Sequence, residues 1–395
     1  MSDYLKRTWA QVDLDNITKN FHAIRSFVRP GCLVMAVVKA DAYGHGVPYV
    51  ARELYLAGAD YFGVSNLEEA MQLRASGIYK PVLILGSTPV SHVAELIRHG
   101  ITQTVCSLDY AAALSEQAAR AGGRVNVHIK LDTGMGRLGF LYNLTHHGSD
   151  TIGEIEKSVR LSNLDATGIF THFAVADEPQ NSFTRVQFEL FTDAIDKLRQ
   201  RGVEFRLRHC CNSAGLLNFP SMQLDMVRPG IILYGLLPVA GMPVTITLRP
   251  AMELKTIISQ IKTLGAGVPL SYGLKYRTEK ATTVATLPVG YADGFSRRLT
   301  NNAEVLVGGR RAGIIGRVCM DQCMADITGI ADVQEGGIVT IIGRDGGAEI
   351  TMDELAGHMG TINYEAVCLI GKRVPRIFFK GGQNVGLINY VLPQD

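Results

Sequence analysis

The sequence predicts an α/β protein: a (β/α)₈ barrel of the TIM type followed by a mostly β C-terminal domain. Two observations carry the barrel. Eight strand-length apolar runs alternate with amphipathic stretches between residues 33 and 230, and successive runs begin mostly about 20–40 residues apart, as βα units require. A third observation carries the second domain: after about Leu248 the chain turns into β-branched runs cut by glycine turns, with few helical signals.

The eight runs are LVMAVVK from Leu33, YFGVS from Tyr61, VLILG from Val82, TQTVC over Thr102–Cys106, VNVHIKLD from Val125, ATGIFTH from Ala166, FRLRHC from Phe205 and LDMVRPG from Leu224. Such near-continuous apolar runs suit strands buried on both faces of a parallel sheet. Between them, NLEEAMQLRASG pairs Asn66 with Glu69 as a helix-start signal and uses Gly77 as its stop. A doubly wound open sheet is the alternative, but no GxGxxG turn follows the first run. TWAQVDL, Thr8–Leu14, alternates like a strand, is surplus to the eight, and is available to pack with the C-terminal part. LLPVAGMP, Leu236–Pro243, reads as a linker, which sets the domains at 1–243 and 244–395. In the second domain the runs are MELKTIISQIKTL, KATTVATLPVGYADG, AEVLVGGRRAGIIGRV and GGIVTIIGR, with TMDELAGHMG from Thr351 the clearest helix.

A net charge of +2 and the lack of a basic cluster argue against nucleic acid or an anionic membrane as partner. MSDYLKRTWAQVDL has no apolar core of a signal peptide, so a cytoplasmic setting is expected. The seven cysteines show no framework spacing; Cys210–Cys211 and the Cys319/Cys323 pair lack the partners a metal site needs. Free thiols and no metal are the expectation.

A barrel of this kind works at the C-terminal ends of its strands. Those ends offer Lys39, Ser65, Ser87, Cys106, Lys130 with Asp132, His172, Asn212 with Ser213, and Arg228. Burial would lower the pKa of Lys39 and make its amine a Schiff-base nucleophile; an ordinary surface lysine is the plain alternative. The loops after the last two runs, CCNSAG and RPGIILYG, stand where such barrels hold phosphate. Ser213 offers a hydroxyl there, and Gly230 and Ile231 offer backbone N–H groups. Pyridoxal 5′-phosphate (PLP) carries an aldehyde and a phosphate on one small ring and fits both ends.

AVVKADAYGHG, KLDTGMGRLG, THFAVAD, CNSAG, RPGIILYG, SYG, LPVGYADG, GRVCMDQ and INYE occur in that order over nearly the whole chain. Together they resemble the alanine racemase family. The resemblance implies a PLP-dependent isomerase that interconverts L- and D-alanine as a head-to-tail homodimer and supplies D-alanine for bacterial peptidoglycan. It implies that Lys39 holds PLP and serves as one base, and that Tyr272 of the partner subunit is the base on the opposite face. An unassisted phenol keeps its proton to about pH 10, and His172 matches the hydrogen-bond partner that would help. Arg228 would meet the pyridine nitrogen and, as a donor only, leave it unprotonated. Tyr43 and Tyr364 match phosphate-contacting tyrosines, and Tyr364 with Tyr272 would narrow the entrance to admit little beyond a methyl side chain. Arg137 would hold the PLP phenolic oxygen or the substrate carboxylate. Met320 and Asp321 match substrate-contacting residues from the partner. Lys130 matches a position that carries a carbamate in several members, and repulsion from Arg137 is the expected cause of a lowered pKa. A serine or broader-specificity racemase is the alternative within the family. A decarboxylase of similar layout would put an acid where Arg228 stands, and a non-enzymatic PLP carrier would need only the first 230 residues.

Overall fold

In the computed structural model, which describes residues 5–145 and 149–392, the chain starts in the second domain. β1 (Thr8–Asp13) pairs antiparallel with Met252–Ile257 and parallel with Arg376–Lys380, both from the far end of the chain. It buries Thr8, Trp9, Ala10 and Val12, the first three in succession because the strand is covered on both faces there. Asp13 then caps α1 (Leu14–Phe27) by accepting from the Asn16 N–H at 2.9 Å.

The eight predicted runs are the barrel strands. They are β2 (Leu33–Val37), β3 (Tyr61–Val64), β4 (Val82–Ile84), β5 (Ile101–Val105), β6 (Val125–Asp132), β7 (Leu164–Phe170), β8 (Leu207–His209) and β9 (Met226–Val227). Each pairs parallel with the next from β2 to β8, and β9 pairs parallel with β2. Between β8 and β9 there is no ladder. The seam is closed by two backbone bonds, Asp225 N–H to the Arg208 carbonyl at 3.1 Å and Arg228 N–H to the Cys211 carbonyl at 2.9 Å. Helices α2 (Val47–Leu56), α3 (Leu67–Ala75), α4 (Val93–Arg98), α5 (Leu108–Arg120), α6 (Ser149–Val159), α7 (Phe183–Gln200) and α8 (Ser213–Asn218) alternate with the strands. After β9 only a 3₁₀ turn follows, Ile231–Tyr234, and α1 lies against it. The buried Asn20 amide ties the two, donating to the Leu233 and Arg249 carbonyls at 3.1 and 2.8 Å.

The linker segment 236–243 holds no helix or strand. Beyond it come β10 (Met252–Ile257), β11 (Gln260–Leu264), β12 (Thr282–Leu287), β13 (Glu304–Val307), β14 (Arg310–Gly313), β15 (Cys323–Asp326) and β16 (Ile338–Asp345), then β17 (Arg376–Lys380) and β18 (Gln383–Ile388). The larger sheet runs β14-β13-β16-β10-β1-β17-β18, and β11-β12-β15 form a smaller one. The run MELKTIISQIKTL therefore serves two sheets: β10 buries Met252 and Leu254, whereas β11 buries none of its residues. Helix α9 (Met352–Met359) starts where TMDE predicts it, with the Thr351 hydroxyl accepting from the Glu354 N–H at 3.0 Å. A second helix, α10 (Asn363–Cys368), is not foreseen by the sequence reading; it brings Tyr364 over the barrel mouth. Among the described residues no helix is long and apolar enough to cross a membrane.

Candidate active site

β2 stops at Val37, two residues before Lys39, so the lysine opens a turn rather than ending the strand. That turn is left-handed. Ala40, Asp41, Ala42 and Tyr43 all have φ between 52 and 55°, with no glycine among them. Each left-handed residue costs roughly 1–2 kcal/mol, so the surroundings must hold the segment. They do so with two carboxylates. Asn66 caps α3 through the Glu69 N–H at 2.9 Å, as predicted, but the Glu69 side chain goes elsewhere: to the Ser65 N–H at 2.7 Å and the Ala40 N–H at 2.8 Å. Asp41 accepts from the Val47 N–H at 2.8 Å and from the Tyr390 hydroxyl. From the second domain, the buried Arg376 donates to the Gly44 carbonyl at 2.9 Å.

Lys39 and Tyr43 thereby face a cavity of about 1050 Å³ at the barrel mouth. Asn212, Ser213, Arg228, Gly230 and Ile231 line it from the β8 and β9 loops, His172 from β7, Lys130 and Arg137 from β6, and Tyr364 from α10. Asn212 caps α8, its side-chain oxygen accepting from the Gly215 N–H at 2.8 Å, while its amide nitrogen lies 3.5 Å from His172 Nε2. The expectation that Gly230 offers a free N–H is corrected: that group donates to the Ser213 hydroxyl at 2.9 Å. Gly230 instead supplies space. A Cβ there would stand 2.6 Å from the Tyr43 hydroxyl, so any other residue would push the phenol away. Ile231 opens the 3₁₀ turn, and its N–H has no partner inside that turn. The Tyr43 and Tyr364 rings lie 6.2 Å apart, and burial raises both phenol pKa values.

The cavity floor is cationic. Arg228 is buried without a carboxylate among the described residues. One arm, Nη2, donates to the Thr171 and Cys210 carbonyls at 2.8 and 3.0 Å and lies 3.3 Å from His172 Nδ1; the other, Nη1, lies 2.9 Å from His209 Nδ1. Burial brings its pKa down to about 10. Lys130 is also buried; its amine donates to the Leu131 carbonyl at 2.7 Å and sits 5.6 Å from the Phe170 ring centre. Its pKa falls to about 8, but the stated cause needs correction: burial dominates, and Arg137 ranks below Arg228 as a repelling charge. Burial likewise lowers Lys39, with Arg137 next in weight. His172 is driven well below 6.5 by burial and by the cations around it. Asp132 shapes the loop that carries Arg137, accepting from the N–H groups of Gly134, Met135, Gly136 and Arg137 at 2.9–3.1 Å.

Tyr272, Met320 and Asp321 are not brought to this cavity within one chain. Tyr272 is 70% and Met320 52% exposed on the second domain, and neither lines the cavity that His172 lines. They share a braced platform instead. The Ser271 hydroxyl donates to the Arg317 carbonyl at 2.7 Å, and Arg373 bridges Asp321 at 2.8 Å to the buried Asp293 at 3.6 Å. Glu69, Asp41, Asp177, Cys368 and His209 belong to the site or its supports; of these the sequence marks Glu69 alone, and only as the helix-start partner of Asn66. All seven cysteines are free; Cys32, Cys210, Cys211 and Cys323 are buried, and Cys368 is exposed at the cavity. Among the described residues no cluster could hold a metal.

Residues 12–238 match the family described as alanine racemase, N-terminal domain, and residues 251–378 match alanine racemase, C-terminal domain. An alanine racemase of Clostridium acetobutylicum is 43% identical over 99% of this chain and 100% of its own. The alanine racemase structure from Clostridium difficile superposes with a TM-score of 0.94 at 39% identity, covering 99% of this chain and 100% of that one. A Bartonella henselae alanine racemase solved with covalently bound pyridoxal phosphate gives 0.84 at 27% identity, over 94% of this chain and 99% of that one. Two domain matches spanning most of the chain, with relatives covered end to end, leave one assignment: the chain belongs to the alanine racemase family of amino-acid racemases.

Proposed function

We propose that this protein interconverts L- and D-alanine with PLP held at the barrel mouth, as a homodimer in the bacterial cytoplasm, and that its D-alanine feeds peptidoglycan. One observation carries the cofactor reading. Lys39 and Arg228 reach the same cavity from the paired strands β2 and β9, and the buried Arg228 has no carboxylate partner among the described residues. A ring with an aldehyde at one side and a lone-pair nitrogen at the other suits that pair. Ser213, Ile231, Tyr43 and Tyr364, around the space left by Gly230, suit its phosphate, with Asn212 bracing the loop. When bound, PLP acidifies the Cα–H of an amino acid attached to it.

The chain's own groups do the rest. Burial keeps the Lys39 amine a competent base, and it takes or returns the Cα proton on one face. Tyr272 of a second copy does the same on the other face, so the substrate never turns over. Its exposure on the second domain supports a role across an interface. His172 is the group on the barrel side that would meet it. Arg228 would donate to the ring nitrogen and, with a pKa of about 10, keep its own proton near neutral pH, so that nitrogen would stay unprotonated. Arg137 orients the substrate carboxylate, and Met320 and Asp321 of the second copy close the pocket. Lys130, largely deprotonated at moderately alkaline pH, is suited to become a carbamate that pairs with Arg137.

Purified protein with added PLP should show a lysine-bound PLP absorbance band and form D-alanine from L-alanine. Lys39→Ala should lose the band and at least about a thousandfold in kcat. Wild-type protein with bound PLP and no D-alanine formed would overturn the reading.

A further inference from the structure

Two histidines lie beneath the site and have no part in the scheme above. His128 on β6 and His209 on β8 are fully buried, and neither lines the cavity. His209 Nδ1 is 2.9 Å from Arg228 Nη1, and His209 Nε2 is 2.9 Å from His128 Nδ1. A guanidinium only donates, so His209 Nδ1 must accept and its ring proton must sit on Nε2. That N–H faces His128 Nδ1, which must accept in turn, so the proton of His128 sits on Nε2. The protons of both rings are dictated from Arg228 downward, and burial keeps both rings neutral.

The chain of bonds ends at His128. Its Nε2 is buried with no partner among the described residues. Gly168 on the neighbouring strand leaves just enough room: a Cβ there would meet His128 Nε2 and Cε1 at 2.8 Å. An apolar side chain in this layer would carry no orphaned N–H. What the imidazole adds is the Nδ1 acceptor. His209 needs that acceptor to be oriented. Phe170 stacks on its ring at 4.8 Å and 3°, which sets the ring plane but not which way round the ring lies. Turned over, His209 would present a carbon to Arg228, and Nη1 would lose the one acceptor it has among the described residues.

We propose that His128 is a positioning residue: by accepting from His209 Nε2–H it holds His209 Nδ1 toward Arg228 and so sets how the guanidinium presents its remaining donors to the cavity. The proposal rests on the reading that Arg228 meets the cofactor. Nη2 alone, tethered to two carbonyls, would let the planar fork swing about them. Bonds in series also strengthen one another, which makes His209 a better acceptor for the buried cation.

Three proteins separate this role from packing: wild type, His128→Phe, which keeps a ring without an acceptor, and His128→Asn, whose amide oxygen stands near the place of Nδ1. In wild type, with or without PLP, ¹⁵N-histidine NMR should show His209 protonated on Nε2 and hydrogen-bonded at both nitrogens. His128→Phe should lose that signature, shift the bound-PLP absorbance band and lower kcat roughly tenfold with KM for alanine unchanged within about twofold. His128→Asn should restore the signature, the band and kcat. A wild-type His209 protonated on Nδ1 overturns the proposal whether or not the variants fold. So does His128→Phe with an unchanged band and kcat, or equal losses in both variants. A wild type that forms no D-alanine would instead overturn the functional reading and leave the NMR result standing by itself.

Discussion

Lys130 is a buried amine whose charge is set by where it sits. Its pKa of about 8, against an ordinary 10.5, makes stability depend on pH in a defined direction. Between those values the unfolded chain holds a proton that the folded chain has shed. Stability from this group therefore rises with pH through that window, is fully present above 10.5, and is lost as pH falls through 8. Capture of CO₂ by the neutral amine, with release of a proton to solvent, would leave an anion near Arg137 and Arg228. Protein equilibrated with ¹³C-bicarbonate at pH 8 should give a carbamate ¹³C signal that fades by pH 6 and is missing from Lys130→Met. Its absence from fully active wild type would remove the carbamate from the mechanism. Lys39 and Lys130 were both legible in the sequence, because a cation at the end of an apolar run has few places to go. His128 was printed in VNVHIKLD two positions before Lys130, on the same inward face. Period alone could not say that His209 stands on the strand beyond, or that Arg228 closes the line.

The left-handed turn at Ala40–Tyr43 was invisible at the level of sequence. AVVKADAYGHG marks a strand, a lysine and two glycines, yet the four left-handed residues contain no glycine and no asparagine. Their conformation is imposed by partners distant in sequence, namely Glu69, Tyr390 and Arg376. The barrel strands were legible for the opposite reason, since burial on both faces writes itself into consecutive apolar residues. Glu69 serves the turn by binding two backbone N–H groups, on Ser65 and on Ala40. Glu69→Ala should cost about 1–3 kcal/mol, from hydrogen bonds to a charged group, and should weaken PLP binding because Lys39 starts the turn. Glu68→Ala removes an exposed neighbouring carboxylate on the same helix and should change neither. Calorimetry and PLP titration of the two variants check this. Equal effects would mean that helix charge matters and the turn does not.

At the scale of the molecule, the chain carries two half-sites that do not meet. The barrel mouth holds Lys39, Arg228 and Lys130, while Tyr272 and Met320 stand exposed on the second domain with Leu274, itself 62% exposed. The second domain is rigid enough to present them. Ser271 and Arg317 are hydrogen-bonded, and Arg373, Asp321, Asp293 and Arg7 form a connected ion-pair group, with Arg7 and Asp293 at 2.5 Å. Apolar and phenolic groups left in water on such a platform are a natural contact surface, and a two-fold pair would put each platform at the other's barrel mouth. The consequence is countable. Lys39→Ala and Tyr272→Phe should each be inactive as a homodimer. Unfolded together and refolded at equal amounts, half of the dimers should be mixed. Each mixed dimer should own one site with both bases intact, because Lys39 comes from one copy and Tyr272 from the other. The mixture should therefore recover about a quarter of wild-type activity. If both bases acted within one chain, every site would lack one of them and the mixture would stay inactive.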